Sequence, residues 1–131
     1  MILRGLLLAG AVLALGATGE VVELPSGQSA THFDTITGEP GPAGLTVRFR
    51  FLVPGIARDL ARMPATLAQG DMDYLCAEYA LPRLADSGPE PAQIVITLMD
   101  RPVPFGQPDP EATQFFEAYR PEAGRCIWEG F

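Results

Sequence analysis

Residues 93–99 read QIVITLM, seven positions with hardly a polar member, closed in by Pro91 on one side and Asp100-Arg101 on the other. So short an apolar run, rich in β-branched residues, fits a central strand covered on both faces. The clearest strand of all is GLTVRFRFLVP, residues 44–54. Leu45, Val47, Phe49, Phe51 and Val53 fall on one face at period two, with Thr46, Arg48 and Arg50 on the other, so one side is core and the other is wet. Pro54-Gly55 stops it.

The remaining elements are read around these two strands. Val21–Leu24 is short and apolar, Pro25-Ser26-Gly27 is a turn signal, and Ser29–Thr37 is rich in β-branched and aromatic residues, which together predict a hairpin. GEPGPAG, residues 38–44, reads as a loop. From Ile56 to Ala80 the pattern turns helical: a first turn, IARDLARM, precedes Pro64, and Met72, Leu75, Cys76 and Tyr79 then recur as one buried stripe. Gly70 weakens the middle, so Asp71 is expected to cap a fresh start, and Pro82 to end the helix. After QIVITLM comes a proline-framed loop, Pro102–Pro108. Asp109, Pro110 and Glu111 then form a helix-start signal ahead of an apolar stripe of Ala112, Phe115, Phe116 and Tyr119, with Pro121 and Gly124 at its end. CIWEGF closes the chain as a short strand. The expected fold class is α+β: a small, mainly antiparallel sheet with two helices packed on one face and one disulfide.

The chain opens MILRGLLLAGAVLALGATGE, one arginine followed by an apolar stretch and then small residues, the layout of a secretory signal peptide. The stretch is shorter than the roughly 20 apolar residues a spanning helix needs. The reading is therefore a leader over residues 1–19, a single domain over 20–131, a periplasmic or secreted location, and no stable membrane insertion after cleavage. Without Arg4 the charge falls from −7 to −8, and no lysine is present. An acidic domain of this kind repels nucleic acid. Two cysteines, Cys76 and Cys126, read as a disulfide in an exported chain, with two buried free thiols as the alternative. Such a bridge stabilises by about 4 kcal/mol in the chain-entropy model.

Catalytic and metal-binding patterns are sparse. A zinc site wants three protein ligands, and the one histidine, His32, has only Asp34 as a neighbour that could share its strand face. Asp71 and Asp73 resemble the start of a calcium loop, but Leu75 takes the next ligand position and the glycine and final glutamate are missing. No serine sits in a nucleophile elbow, and no glycine-rich phosphate loop is present. No metal, cofactor or nucleotide is expected. What remains are binding features. Arg48 and Arg50 suit a carboxylate or phosphate, with pairing to the chain's own acids as the plainer reading. Asp100, Arg101, Phe105, Gln107 and Glu111 surround the proline-framed loop, where Arg101 stapling Asp100 or Glu111 is again the plainer reading.

The segments ALPRLADSG, IVITLMDRPVPFG, PEATQFFEAYR and CIWEGF resemble a family of small uncharacterised bacterial exported proteins, closely over residues 72–131 and loosely before. Some of its members carry the label acetolactate synthase. That activity needs far larger domains to hold thiamine diphosphate, and the resemblance brings no catalytic residue. The expected function is a periplasmic, disulfide-stapled binding or interaction module without catalytic activity of its own. The alternatives are a small envelope hydrolase or isomerase using scattered acids and His32, and an accessory subunit of an envelope complex, another envelope protein being the expected partner.

Overall fold

The structure, a computed structural model, describes residues 19–57 and 65–130. The expected leader up to residue 18, and the part of IARDLARM beyond Ala57, lie outside the described residues. Six strands follow in chain order: β1 (Val21–Glu23), β2 (Ser29–Gly41), β3 (Gly44–Leu52), β4 (Gln93–Met99), β5 (Gln114–Glu122) and β6 (Arg125–Trp128). They make one sheet in that same order, curled into a half barrel. Neighbours are antiparallel except β3 and β4, which run parallel. A parallel step requires a crossover. The connecting chain contains a 3-10 turn at Pro54–Ile56, helix α1 (Ala65–Leu75), a π-helical turn at Cys76–Ala80, one more α turn at Leu81–Arg83 and a closing 3-10 turn at Leu84–Ser87.

QIVITLM is β4, and all seven of its residues are buried because β3 and β5 flank it and both faces are covered. Towards the helix, Ile94, Ile96 and Leu98 pack with Val47, Phe49 and Phe51 of β3, with Tyr119 of β5, and with Ala68, Met72, Leu75, Cys76 and Tyr79. The helical stripe expected from the sequence therefore does face the core. On the outer face Met99 packs with Val103 and Ala112, flanked by Phe33 and Leu52. The Cys76–Cys126 disulfide is formed, with Cα atoms 6.3 Å apart, and ties the helical crossover to β6.

The α+β expectation with two helices on one face is corrected: the molecule is mostly sheet, 44% strand against 23% helix, with one helix. The segment expected to be the second helix is β5. Asp109 and Pro110 do start a turn, with the Glu111 amide donating to Asp109 Oδ1 at 3.0 Å and the Ala112 amide to the Asp109 carbonyl at 3.1 Å. The turn cannot propagate, because Asp100 takes the next backbone groups. Its Oδ1 accepts from the Thr113 amide at 2.7 Å, and its own amide donates to the Thr113 carbonyl at 3.0 Å. Phe115 and Tyr119, four apart, satisfy helical spacing and strand parity alike, and aromatic residues suit a strand. Phe116 is the residue that separates the two readings: it stands on the outer face, 65% exposed, instead of in the core. Pro121 and Gly124 belong to a hairpin, in which Ala123 (φ 53°) and Gly124 (φ 74°) turn β5 into β6.

Smaller expectations change as well. GEPGPAG is mostly strand, since β2 runs on to Gly41, paired with Gly44 across a two-residue turn. Helix α1 runs straight through Gly70. Asp71 is no cap: it is 1% exposed and accepts from the Ser26 amide at 3.0 Å and the Ser26 hydroxyl at 2.6 Å, pinning the β1–β2 turn to the helix. Nor does Pro82 end the helix. The Leu81 amide reaches five residues back to the Cys76 carbonyl, and this wider turn sits where a proline would otherwise crowd the preceding turn.

Candidate functional site

The proline-framed loop is braced at both ends. At its base Asp100 holds Thr113, and its Oδ2 pairs with Arg101 Nη2 at 3.0 Å. Burial opposes ionisation of Asp100, but hydrogen bonds from Arg101 and the Thr113 amide outweigh it and hold the carboxyl below its usual pKa. The same bond to Asp100 raises the pKa of the exposed Arg101. At the loop tip Pro104, Phe105, Gly106 and Gln107 form a turn closed by the Gln107 amide on the Pro104 carbonyl at 3.1 Å, with Gly106 at φ 82°, the positive φ a type II turn needs at its third residue. Phe105 is 43% exposed, and Gln107 and Glu111 are exposed.

Phe105 joins the two sets of residues singled out in the sequence, because its ring lies 5.4 Å from the Arg48 guanidinium and 5.5 Å from that of Arg50. The face carrying these arginines is not wet at Arg50, which is 3% exposed. Asp34 meets Arg50 with two bonds of 2.7 Å, and Arg50 Nη1 donates to the Val103 carbonyl, also at 2.7 Å. Arg50 thus clamps the loop to the sheet. Arg48 pairs with Glu39 at 3.4 Å.

A second group of residues comes together that the sequence does not announce. β2 carries an extra residue at Phe33, since His32 lies opposite Phe51 while Asp34 lies opposite Arg50. This bulge changes which side chains share a face. His32 and Asp34, expected on one face, fall on opposite faces, whereas His32 and Thr35 share the core side and meet at 2.8 Å, Nε2 to Oγ1. The His32 ring stacks on Tyr79 at 5.4 Å and meets Phe51 edge-on at 5.6 Å. Tyr79 OH donates to Glu20 Oε1 at 2.5 Å, and the Arg83 guanidinium lies 3.6 Å above the Tyr79 ring while donating to Glu20 Oε2 at 3.3 Å. Glu20, His32, Thr35, Tyr79 and Arg83 border an open cavity of about 350 Å³, with Phe49 in its wall.

Burial lowers the pKa of His32 against the opposing pull of Asp34 and Glu20, which favours the neutral imidazole. The Tyr79 hydrogen bond likewise keeps Glu20 below its usual pKa. A neutral imidazole against a hydroxyl can take up a proton, and the aromatic walls can seat a small ring. Of this group the sequence singles out only His32 as a candidate; the Tyr79–Arg83 spacing of four on a helix is the signal that could have added two more. The bulge that brings Thr35 to His32 leaves no mark in local composition. Among the described residues no group of three or more His, Cys, Asp or Glu side chains gathers as a metal site.

Fold and cavities together define a small disulfide-stapled half-barrel domain with a braced loop on its outer face. The chain belongs to a family of unknown function, DUF6497, whose model matches residues 7–131 and so extends through both halves of the sequence. No curated protein and no solved structure matches it.

Proposed function

We propose that this protein is an exported, bacterial binding module of the cell envelope, an accessory partner to another envelope protein, and that its contact surface is the outer face at the Phe105 turn. The carrying observation is that Phe105 is presented half exposed by a loop fixed through Arg50, Asp100 and Gly106. A loop whose ordering cost is already met by the fold loses little entropy on contact. The leader-like start and the disulfide support export.

Replacing Arg101, Phe105 and Gln107 together by alanine tests this reading, since those side chains meet the fold only through the cation–π contacts of Phe105 and the pair that exposed Arg101 makes with Asp100. Thermal stability should be nearly unchanged, because these contacts are made at the exposed loop surface. A photo-crosslinking residue at position 105, in cells of the native host, should yield a discrete adduct that the same residue at exposed position 90 does not. Identical adducts at both positions, or loss of folding in the triple variant, would overturn the reading. A hydrolase or isomerase working through His32 draws on the Thr35 contact. Equal turnover by wild type and His32→Ala in a periplasmic substrate screen would exclude it.

A further inference from the structure

Trp128 is the chain's single tryptophan, and it is 50% exposed. Its indole is nonetheless fixed. Nε1 donates to Glu117 Oε1 at 2.7 Å, and the backbone of Gly130 lies so close to the six-membered ring that a Cβ there would come within 2.6–2.9 Å of Cη2, Cζ2 and Cζ3. Any side chain at position 130 would displace the indole. A large aromatic surface is thus hydrogen-bonded in place, packed against Gly130 and left half exposed, and it borders a cavity of about 450 Å³ lined also by Asp73, Tyr119, Arg125 and Cys126.

The polar groups of this cavity are of mixed type. Tyr119 OH donates to Asp73 Oδ1 at 2.5 Å; burial, then this bond, raises the tyrosine pKa and keeps it a phenol. Asp73 Oδ2 and the Arg125 guanidinium make no hydrogen bond or ion pair among the described residues. A fixed aromatic face therefore stands beside an unspent acceptor and an unspent donor. An organic cation would suit the ring and Asp73 but meet Arg125. A carboxylate would suit Arg125 but meet Asp73 and Glu117. A neutral polyol offers donors and acceptors at once, and the C–H face of a pyranose matches an aromatic plane. We propose that this cavity is a saccharide-binding subsite, with Trp128 stacking on the sugar ring and Asp73 and Arg125 gripping its hydroxyls.

Because Trp128 is the only tryptophan, its emission reports on the site directly. Titration with N,N′-diacetylchitobiose, cellobiose and maltose, with choline and benzoate as charged controls, should give a saturable change with at least one saccharide. Calorimetry should then show binding about tenfold weaker or more in Trp128→Ala and in Arg125→Ala, the latter with an unchanged melting temperature because its side chain holds nothing in the fold. The Arg101, Phe105 and Gln107 triple variant should bind sugar normally, which keeps this inference separate from the loop reading. No response to the three disaccharides and no hit for the folded protein on a glycan array would overturn the proposal. So would choline or benzoate binding as well as sugar, or full affinity in Arg125→Ala.

Discussion

Arg50 carries a full charge into a position 3% exposed, and it is tolerable there because Asp34 and the Val103 carbonyl meet its guanidinium with three bonds of 2.7 Å. Removing one partner of such a pair leaves the other charge buried. Asp34→Ala should therefore cost about 3 kcal/mol in denaturant unfolding, and the double change Asp34→Leu with Arg50→Met should cost less than that single one. His32 sets a pH dependence whose sign follows from its lowered pKa. The unfolded chain takes up a proton near 6.5 while the folded protein does so only at lower pH, so the stability of neutral His32 is complete above 6.5 and is lost as pH falls below it. Glu20 and Asp100, also lowered, contribute stability that is present above their ordinary values of 4.5 and 3.8 and lost as pH falls through the folded ones. Unfolding measured at pH 7.5, 6.0 and 5.0 should decline, and His32→Gln should flatten that decline without changing the loss at stronger acid.

Among the elements, two positions sit below their local optimum. Gly70 lies inside α1 with nothing within 4 Å of where a Cβ would stand, so Gly70→Ala should stabilise by about 0.5–1 kcal/mol. Ala123 holds φ 53°, which asparagine adopts more readily, and Ala123→Asn ahead of Gly124 should add about 1 kcal/mol. Thermal melts of the two variants and of their combination test both, and the effects should add because the sites share no contact. These are also the elements at which local reading succeeds or fails. The core stripe of the crossover was legible because its pattern admits one period, and β4 because its apolar run is short and rich in β-branched residues. β5 was not, because Phe115 and Tyr119 fit both periods and the decision rested on Asp100, which captures the Thr113 backbone from 13 residues away.

For the whole molecule, the disulfide closes the largest loop that the described fold fastens covalently, joining residues 50 apart. Cys76→Ser with Cys126→Ser should lower unfolding free energy by about 4 kcal/mol, and the oxidised protein should weigh two hydrogens less than the reduced one. The candidate surfaces depend on this scale too. The loop residues Asp100, Arg101, Phe105, Gln107 and Glu111 were visible in sequence as a proline-framed polar and aromatic cluster. The His32 and Trp128 cavities were not, because Tyr79 stands 47 positions from His32, and Asp73 stands 55 positions from Trp128.

Local pattern by itself determined β3 through its period of two, β4 through its short β-branched run, and the buried helical stripe, since each follows from side-chain geometry within a few residues. The cysteine count and the leader-like start likewise pointed to the staple. Tertiary structure alone decided that residues 114–122 pair as a strand, that an extra residue at Phe33 places His32 beside Thr35, and that Gly130 packs against the Trp128 ring. Those outcomes turn on hydrogen bonds and close approaches between distant segments, whose free energies exceed the small local preferences that a sequence window can register.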